Sequence, residues 1–185
     1  VEALLNAIQN YVPLSFKERE LIKGLFSEIS VSKNTHLLEA GNICKYLYFI
    51  KEGLFRHFID DQTVHFSSEN SFMCDLTSFS TQTPSIKSFE ALENSILFRI
   101  SYNDLHEFCN KVQHGERFNR LVVEEAFNKT VLYIYALQKQ TPTKRYETFL
   151  QQFKGLSQRI PQYYIASYIG VTPQSLSRIR RKMVS

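Results

Sequence analysis

Residues 161–183, PQYYIASYIGVTPQSLSRIRRKM, set one glycine between two short amphipathic runs, and the second run ends in four cations. Pro161 suits the first turn of a helix in which Ile165, Ala166 and Ile169 share the inward face, and Gly170 stops it. Thr172 is a good N-cap and Pro173 a good first helical residue, so a second helix begins two residues after the glycine. Helices joined this tightly make a helix-turn-helix. That motif needs a small residue where the helices touch (Ala166) and a glycine able to take positive φ at the turn (Gly170). It also needs apolar residues tying the pair to its domain (Ile165, Ile169, Val171, Leu176 and Ile179). All seven positions comply. Ala-x-x-x-Gly spacing alone is a weak signal, whereas the full set followed by RIRRK is a specific one.

On the second helix Leu176 and Ile179 turn inward, which leaves Gln174, Ser175, Ser177, Arg178 and Arg181 outward and Lys182 beyond them. Gln and Arg early on such a helix can bond base edges bidentately, and cations further along suit phosphate. The candidate DNA-binding set is therefore Thr172, Gln174, Ser175, Ser177, Arg178, Arg181 and Lys182. Tyr163, Tyr164 and Tyr168 are expected to pack or to touch phosphate. Charge along the chain agrees. The net charge is only +4, but residues 141–185 hold eight cations against one acid, Glu147, so residues 1–140 sum to −3. A split of this kind implies a polyanionic partner for the C-terminal part.

The 185 residues are 43% hydrophobic and 14% aromatic, enough for a real core. No run approaches the ~18 apolar residues of a membrane span, and VEALLNAIQNYV is amphipathic, so a soluble cytoplasmic chain with no membrane partner is expected. Cys44, Cys74 and Cys109 are odd in number and scattered, which fits reduced thiols and neither a disulfide framework nor a metal site.

Working outward from the tail, the first ~27 residues read as helix, with Leu4, Leu5 and Ile8 on one face and a Ser15/Glu18 capping box ahead of Leu21, Ile22, Leu25 and Phe26. The period then shortens. ISVSK, HLLEA, YLYFIKE, LFRHFID, TVHFS, IKSFEALE and SILFRIS recur between turn residues over 29–101, with a possible helix only near Leu76. Many short strands in succession imply an antiparallel jelly-roll barrel, so the fold class is α+β. Helical pattern returns at Ser101 through Cys109 and again over 115–140, a rod ~37 Å long. The run VLYIYAL, residues 131–137, is apolar all round and must be covered on every side. A roll covers one side only, so a second copy across a two-fold axis is inferred, with Phe118, Leu121, Val122, Val131, Ile134 and Leu137 as the dimer interface. Thr141-Pro142 breaks the rod. The expected domains are a roll over residues 1–114, the dimerisation helix over 115–140 and the helix-turn-helix domain over 141–185.

A jelly roll, a long apolar helix and a terminal helix-turn-helix together resemble the Crp/Fnr family of bacterial transcription regulators. The resemblance covers nearly the whole chain. "RIPQYYIASYIGVTPQSLSRIRRK" looks like the recognition motif of the Bacteroidetes-type branch, and "GNICKYLYFIKEGLFRHF" is similar to the family's opening strands. The resemblance implies a homodimeric, sequence-specific regulator that binds a near-palindromic DNA operator, with Gln174, Ser177 and Arg178 reading bases. RNA polymerase and a small-molecule effector are the further partners it implies, and no wing hairpin follows Met183.

The effector region departs from the pattern. Cyclic-nucleotide-binding members carry a cassette resembling Phe-Gly-Glu-Leu/Ile-Ala, then about ten residues, then Arg-Ser/Thr-Ala. Here Met73-Cys74-Asp75 replaces the Gly-Glu region and Ser85-Ile86-Lys87-Ser88 the arginine region. A buried cyclic phosphate needs backbone NH groups and a guanidinium, and Lys87 lacks the bidentate fork. The candidate effector pocket is Phe72, Met73, Asp75, Leu76, Ser85 and Lys87, its ligand is not expected to be cAMP, and no cofactor is implied. The hairpin between Phe58 and Val64 is also shorter than in relatives. Two other classes compete: a ligand- or protein-binding roll with a purely structural tail, and a cupin-like enzyme holding metal on His57, His65 and Glu69. The second lacks a His-x-His pair.

Overall fold

A computed structural model describes residues 1–184. Helices α1 (Glu2–Gln9) and α2 (Phe16–Leu25) come first. The capping box starts α2: the Ser15 amide donates to Glu18 at 2.7 Å, and the Glu18 amide donates back to the Ser15 hydroxyl at 3.4 Å. Strands β1 (Ser27–Val31), β2 (His36–Leu38), β3 (Tyr46–Glu52), β4 (Leu54–Ile59), β5 (Gln62–Ser68) and β6 (Phe72–Met73) follow, then α3 (Leu76–Thr81), β7 (Ser88–Ala91) and β8 (Ser95–Ser101). They form two four-stranded antiparallel sheets in the orders β1-β8-β3-β6 and β2-β7-β4-β5, the roll that the recurring short strands predict. Gly53, between β3 and β4, has a φ of 117°, and a Cβ there would lie 2.0 Å from the Ser95 hydroxyl, so no other residue lets these strands join so closely. Between β4 and β5 the hairpin reverses at Asp60-Asp61 with Asp60 at a φ of 50°.

Helices α4 (Tyr102–Lys111) and α5 (Gly115–Lys139) lead out of the roll. The Ser101 hydroxyl caps α4 by accepting from the Asp104 amide at 3.1 Å. After Thr141 the chain enters α6 (Pro142–Gln152), a helix absent from the sequence-based expectation, then α7 (Gln162–Tyr168) and α8 (Pro173–Val184). Two apolar clusters result. One fills the roll and takes in α1, α2, α4 and the start of α5. The other joins Tyr146, Phe149, Phe153, Ile165, Tyr168 and Leu176 of the C-terminal helices to Leu54, Phe66 and Leu92 of the roll.

The expected interface along α5 needs correction. Phe118 is 1% exposed and packs edge-on against Phe72, Phe108 and Tyr11, so it belongs to the roll core and is closed to a partner. Leu121 and Val122 are half-buried, Val122 against the same core. VLYIYAL is not covered from every side by a second chain: Tyr133 stacks on Tyr168 at 4.8 Å and donates to its carbonyl at 3.0 Å, and Leu137 turns towards Gly170. Leu132, Tyr135 and Leu137 stay exposed, and on the far side Val123, Phe127 and Ile134 (38, 63 and 44% exposed) form an open stripe with Val131 half-buried between them. Steps of four, four and three residues at about 100° each keep these four on one face.

Candidate nucleic-acid interface

The end of α7 is built as its glycine demands. Gly170 has a φ of 71°, its amide donates to Ser167 O at 3.1 Å, and the Val171 amide reaches back to Ala166 O at 3.0 Å. These paired bonds satisfy the last carbonyls of α7 and aim the chain into α8. Thr172 then caps α8: its hydroxyl accepts from the Ser175 amide at 3.2 Å. Ile165, Ala166, Ile169 and Leu176 are at most 1% exposed and Ile179 is half-buried, so the motif's apolar positions face inward as the sequence predicts.

The opposite face of α8 is open. Gln174, Ser177, Arg178, Arg181 and Lys182 are exposed, as is Thr172, whereas Ser175 is half-buried. Arg178 is steadied by a 3.3 Å bond from Nη2 to the Ser175 hydroxyl, and the Ser177 hydroxyl donates to Pro173 O at 3.1 Å. Ser175 is thus a support for Arg178 and the cap, in addition to any contact of its own. Arg180 lies off this face and donates to Gln162 at 2.6 Å, tying α8 to α7. No acid stands on α8, so its cations add up to one positive field.

The tyrosines divide. Tyr168 is 5% exposed and packs, Tyr163 is 56% exposed, and Tyr164 lies under the Arg56 guanidinium, 3.9 Å from its ring centre, with its hydroxyl donating to Glu90 at 3.0 Å. These last contacts belong to a seam the sequence does not reveal, where the roll meets the C-terminal helices. The Gln62 side chain donates to Ser167 O, and the Thr63 amide donates to the Ser167 hydroxyl at 2.8 Å. Arg159 donates to Glu69 at 2.6 and 3.1 Å and to Glu93 at 2.6 and 3.0 Å. Hydrogen bonds to Glu93 and then Glu69 hold the guanidinium's pKa above its ordinary value. Arg159 therefore fastens the C-terminal helices to the roll, and its charge is spent on Glu69 and Glu93.

Residues 72–88 do come together, but as a closed cluster. Asp75 is 3% exposed; its carboxylate accepts from the Ser85 hydroxyl at 2.6 Å and from Lys87 Nζ at 3.2 Å. Met73 is buried, half-buried Phe72 packs against Phe49 and edge-on against Phe118 in the core, and half-buried Leu76 opens α3. Lys87 is thereby committed to a protein carboxylate. The metal set considered for an enzyme is not assembled either. His57 and His65 face each other across β4 and β5, with His57 Nε2 3.0 Å from the Ser67 hydroxyl, whereas Glu69 is taken by Arg159. Burial, and then the neighbouring His65, pushes His57 well below its ordinary value; burial, with the Lys129 and Lys87 charges, takes His65 to about 4. The thiols of Cys44 and Cys74 are raised by burial, and that of Cys109 is raised to about 11 by the same cause, so none is an activated nucleophile.

Comparison with known proteins fits this geometry. Residues 28–112 match the cyclic nucleotide-binding domain. Over most of its length the chain shares the fold of solved structures that include transcription regulators. FixK2 from Bradyrhizobium japonicum is 15% identical with a TM-score of 0.74, over 85% of this chain and 84% of that one. A protein from Eubacterium rectale assigned to the crp/fnr family of transcriptional regulators is 18% identical with a TM-score of 0.70, over 94% and 87%. The c-di-GMP responsive global regulator CLP from Xanthomonas campestris is 14% identical with a TM-score of 0.69, over 91% of each chain. No curated protein sequence matches significantly. Among the described residues no helix is long and apolar enough to cross a membrane. At these identities the Crp/Fnr likeness is one of architecture, and the side chains of the cyclic nucleotide-binding-type roll are this chain's own.

Proposed function

We propose that this chain is a homodimeric, sequence-specific DNA-binding transcription regulator whose roll does not respond to cAMP. The observation that carries the reading is α8, which buries Leu176 and offers Gln174, Ser177, Arg178, Arg181 and Lys182 to solvent with no acid among them. Gln174 and Arg178 are the base-reading pair. Arg181 and Lys182, a turn further on, meet phosphate. The open stripe of Val123, Phe127, Val131 and Ile134 on α5 supports a two-fold dimer, which would set two α8 helices ~34 Å apart on successive major grooves and demand a near-palindromic operator. Against cAMP stands Asp75, which already holds Lys87 and Ser85 and would repel a phosphate brought beside it.

Selection from random duplexes, followed by affinity measured against salt, tests the reading: an enriched palindrome and a steep inverse salt dependence are expected, and uniform affinity for all duplexes would defeat it. Ile134→Asp puts a charge into the proposed seam and should give a folded monomer in sedimentation. A folded dimer would move the interface elsewhere.

A further inference from the structure

Between α5, α6 and α7 runs a cleft of ≈490 Å³, within the range of small-molecule sites. Its floor is apolar and aromatic, made by Tyr133, Ala136, Phe149 and Tyr168, and Leu132, 66% exposed, stands at its mouth. Tyr133, Ala136 and Gln140 line it from α5, and the turns between them fall on the face opposite Val123, Phe127, Val131 and Ile134 at about 100° per residue. A second copy seated on the stripe therefore leaves the cleft open.

The charge of the lining is one-sided. Lys129 and Arg145 border the cleft, and among the described residues no carboxylate lines it. Lys129 is shared with Glu125 one turn back, but among the described residues Arg145 bonds carbonyl oxygens alone: Nε donates to Ile169 O at 2.6 Å and Nη1 to Gln140 O at 2.7 Å. Those bonds cap the ends of α5 and α7 and leave the guanidinium charge unneutralised at the edge of an apolar hollow. Gln151 and Gln152 add amides at the rim. An apolar trough ending in a cation fits a molecule with an aliphatic or aromatic body and one anionic head.

We infer that this cleft is a ligand site for a small anionic amphiphile, such as a medium-chain or aromatic carboxylic acid, and that it lies outside the roll. Its walls belong to different parts of the chain, the rod α5 on one side and the helices carrying the DNA-reading face on the other. A bound molecule would bridge them and fix the angle of α8 against the rod. That consequence rests on the regulator reading, whereas the binding itself does not.

Calorimetry with dodecanoate below its micelle concentration, on the full chain, tests the site. One dodecanoate per chain is expected, with the cationic analogue dodecyltrimethylammonium at least about tenfold weaker. Leu132→Glu sets an acid at the exposed mouth and should weaken dodecanoate about tenfold, and Ala136→Trp should fill the floor and abolish binding; Phe16→Ala, at an exposed position on α2 outside the lining, should leave it unchanged. Equal affinity for the two amphiphiles, undiminished binding in both Leu132→Glu and Ala136→Trp, or loss in Phe16→Ala would overturn the inference. Because Leu132 is largely exposed, its variant keeps the test alive if the tryptophan does not fold. No DNA enters the titration, so a chain that reads its operator but takes no dodecanoate loses this site alone, and one that takes dodecanoate but reads no DNA loses the regulator reading alone.

Discussion

Residues 72–88 and 161–183 both attract attention as sites, each a string of polar and charged groups beside turns, and they fold in opposite senses. In the first, Asp75, Ser85 and Lys87 turn inward and satisfy one another. In the second, apolar residues turn inward and Gln174, Ser177, Arg178, Arg181 and Lys182 turn to water. Groups that have spent their bonds on each other hold a structure together. Groups held in place but left with open valences can recognise something else, and Arg178, supported by Ser175, is of that second kind.

The largest expected effect breaks the inward cluster. Asp75→Ala strips Ser85 and Lys87 of their acceptor and should cost about 2–3 kcal/mol in chemical denaturation, at the low end for a buried pair because Lys87 can swing to water. Operator affinity should not change, and a stable variant with altered DNA binding would erase the distinction between the two regions. Arg178→Ala is the mirror case: about 1–3 kcal/mol lost on the selected operator, relaxed preference at one position per half-site, and no change in unfolding midpoint.

Acidification sharpens the contrast, because 161–183 contains no histidine or acid while the roll holds buried His57 and half-buried His65. Both have folded-state pKa values below the ordinary 6.5, so beneath that pH the unfolded chain binds more protons. Stability should hold above about pH 6.5 and fall on going to pH 5, by on the order of 1 kcal/mol per ring given that His65 is only half-buried. Thermal unfolding across that window measures the fall, and His65→Phe should flatten it; an unchanged profile in the variant would place the titration elsewhere. The smallest effect is that of Lys182→Ala, which should weaken all duplexes alike and lower the salt slope by about 1 per bound subunit.

The sequence was most informative where local chemistry decides the outcome. Gly170, Thr172-Pro173 and the Ser15/Glu18 box act within one turn of the chain, and the strand runs of the roll announce themselves by their spacing. The signal that opens α8 also opens α6: Thr141-Pro142 repeats Thr172-Pro173, and the Thr141 hydroxyl accepts from the Lys144 amide at 3.3 Å as a cap should. Directly behind a long helix, the break such a pair makes hides the start it also makes. Other features are not local. Periodicity lists the apolar residues of α5 but not their partners, so the sequence alone assigns Phe118 to a dimer although the roll takes it, and it gives no sign that Val123 and Phe127 are exposed. Arg159 stands among the eight cations of residues 141–185, and nothing near it in sequence reveals Glu69 and Glu93, 90 and 66 positions away.

The second apolar cluster carries a lesson for anyone recombining such proteins. Leu54, Phe66 and Leu92 complete a core that otherwise belongs to the C-terminal helices, and the β4–β5 hairpin tip is stitched to Ser167. The C-terminal part is therefore not an interchangeable cartridge. A chimera that grafts residues 141–185 onto a foreign roll leaves Phe149, Phe153 and Tyr168 without their opposite wall, and must import the outer face of β4 and β5, with Glu69 and Glu93, to seat them.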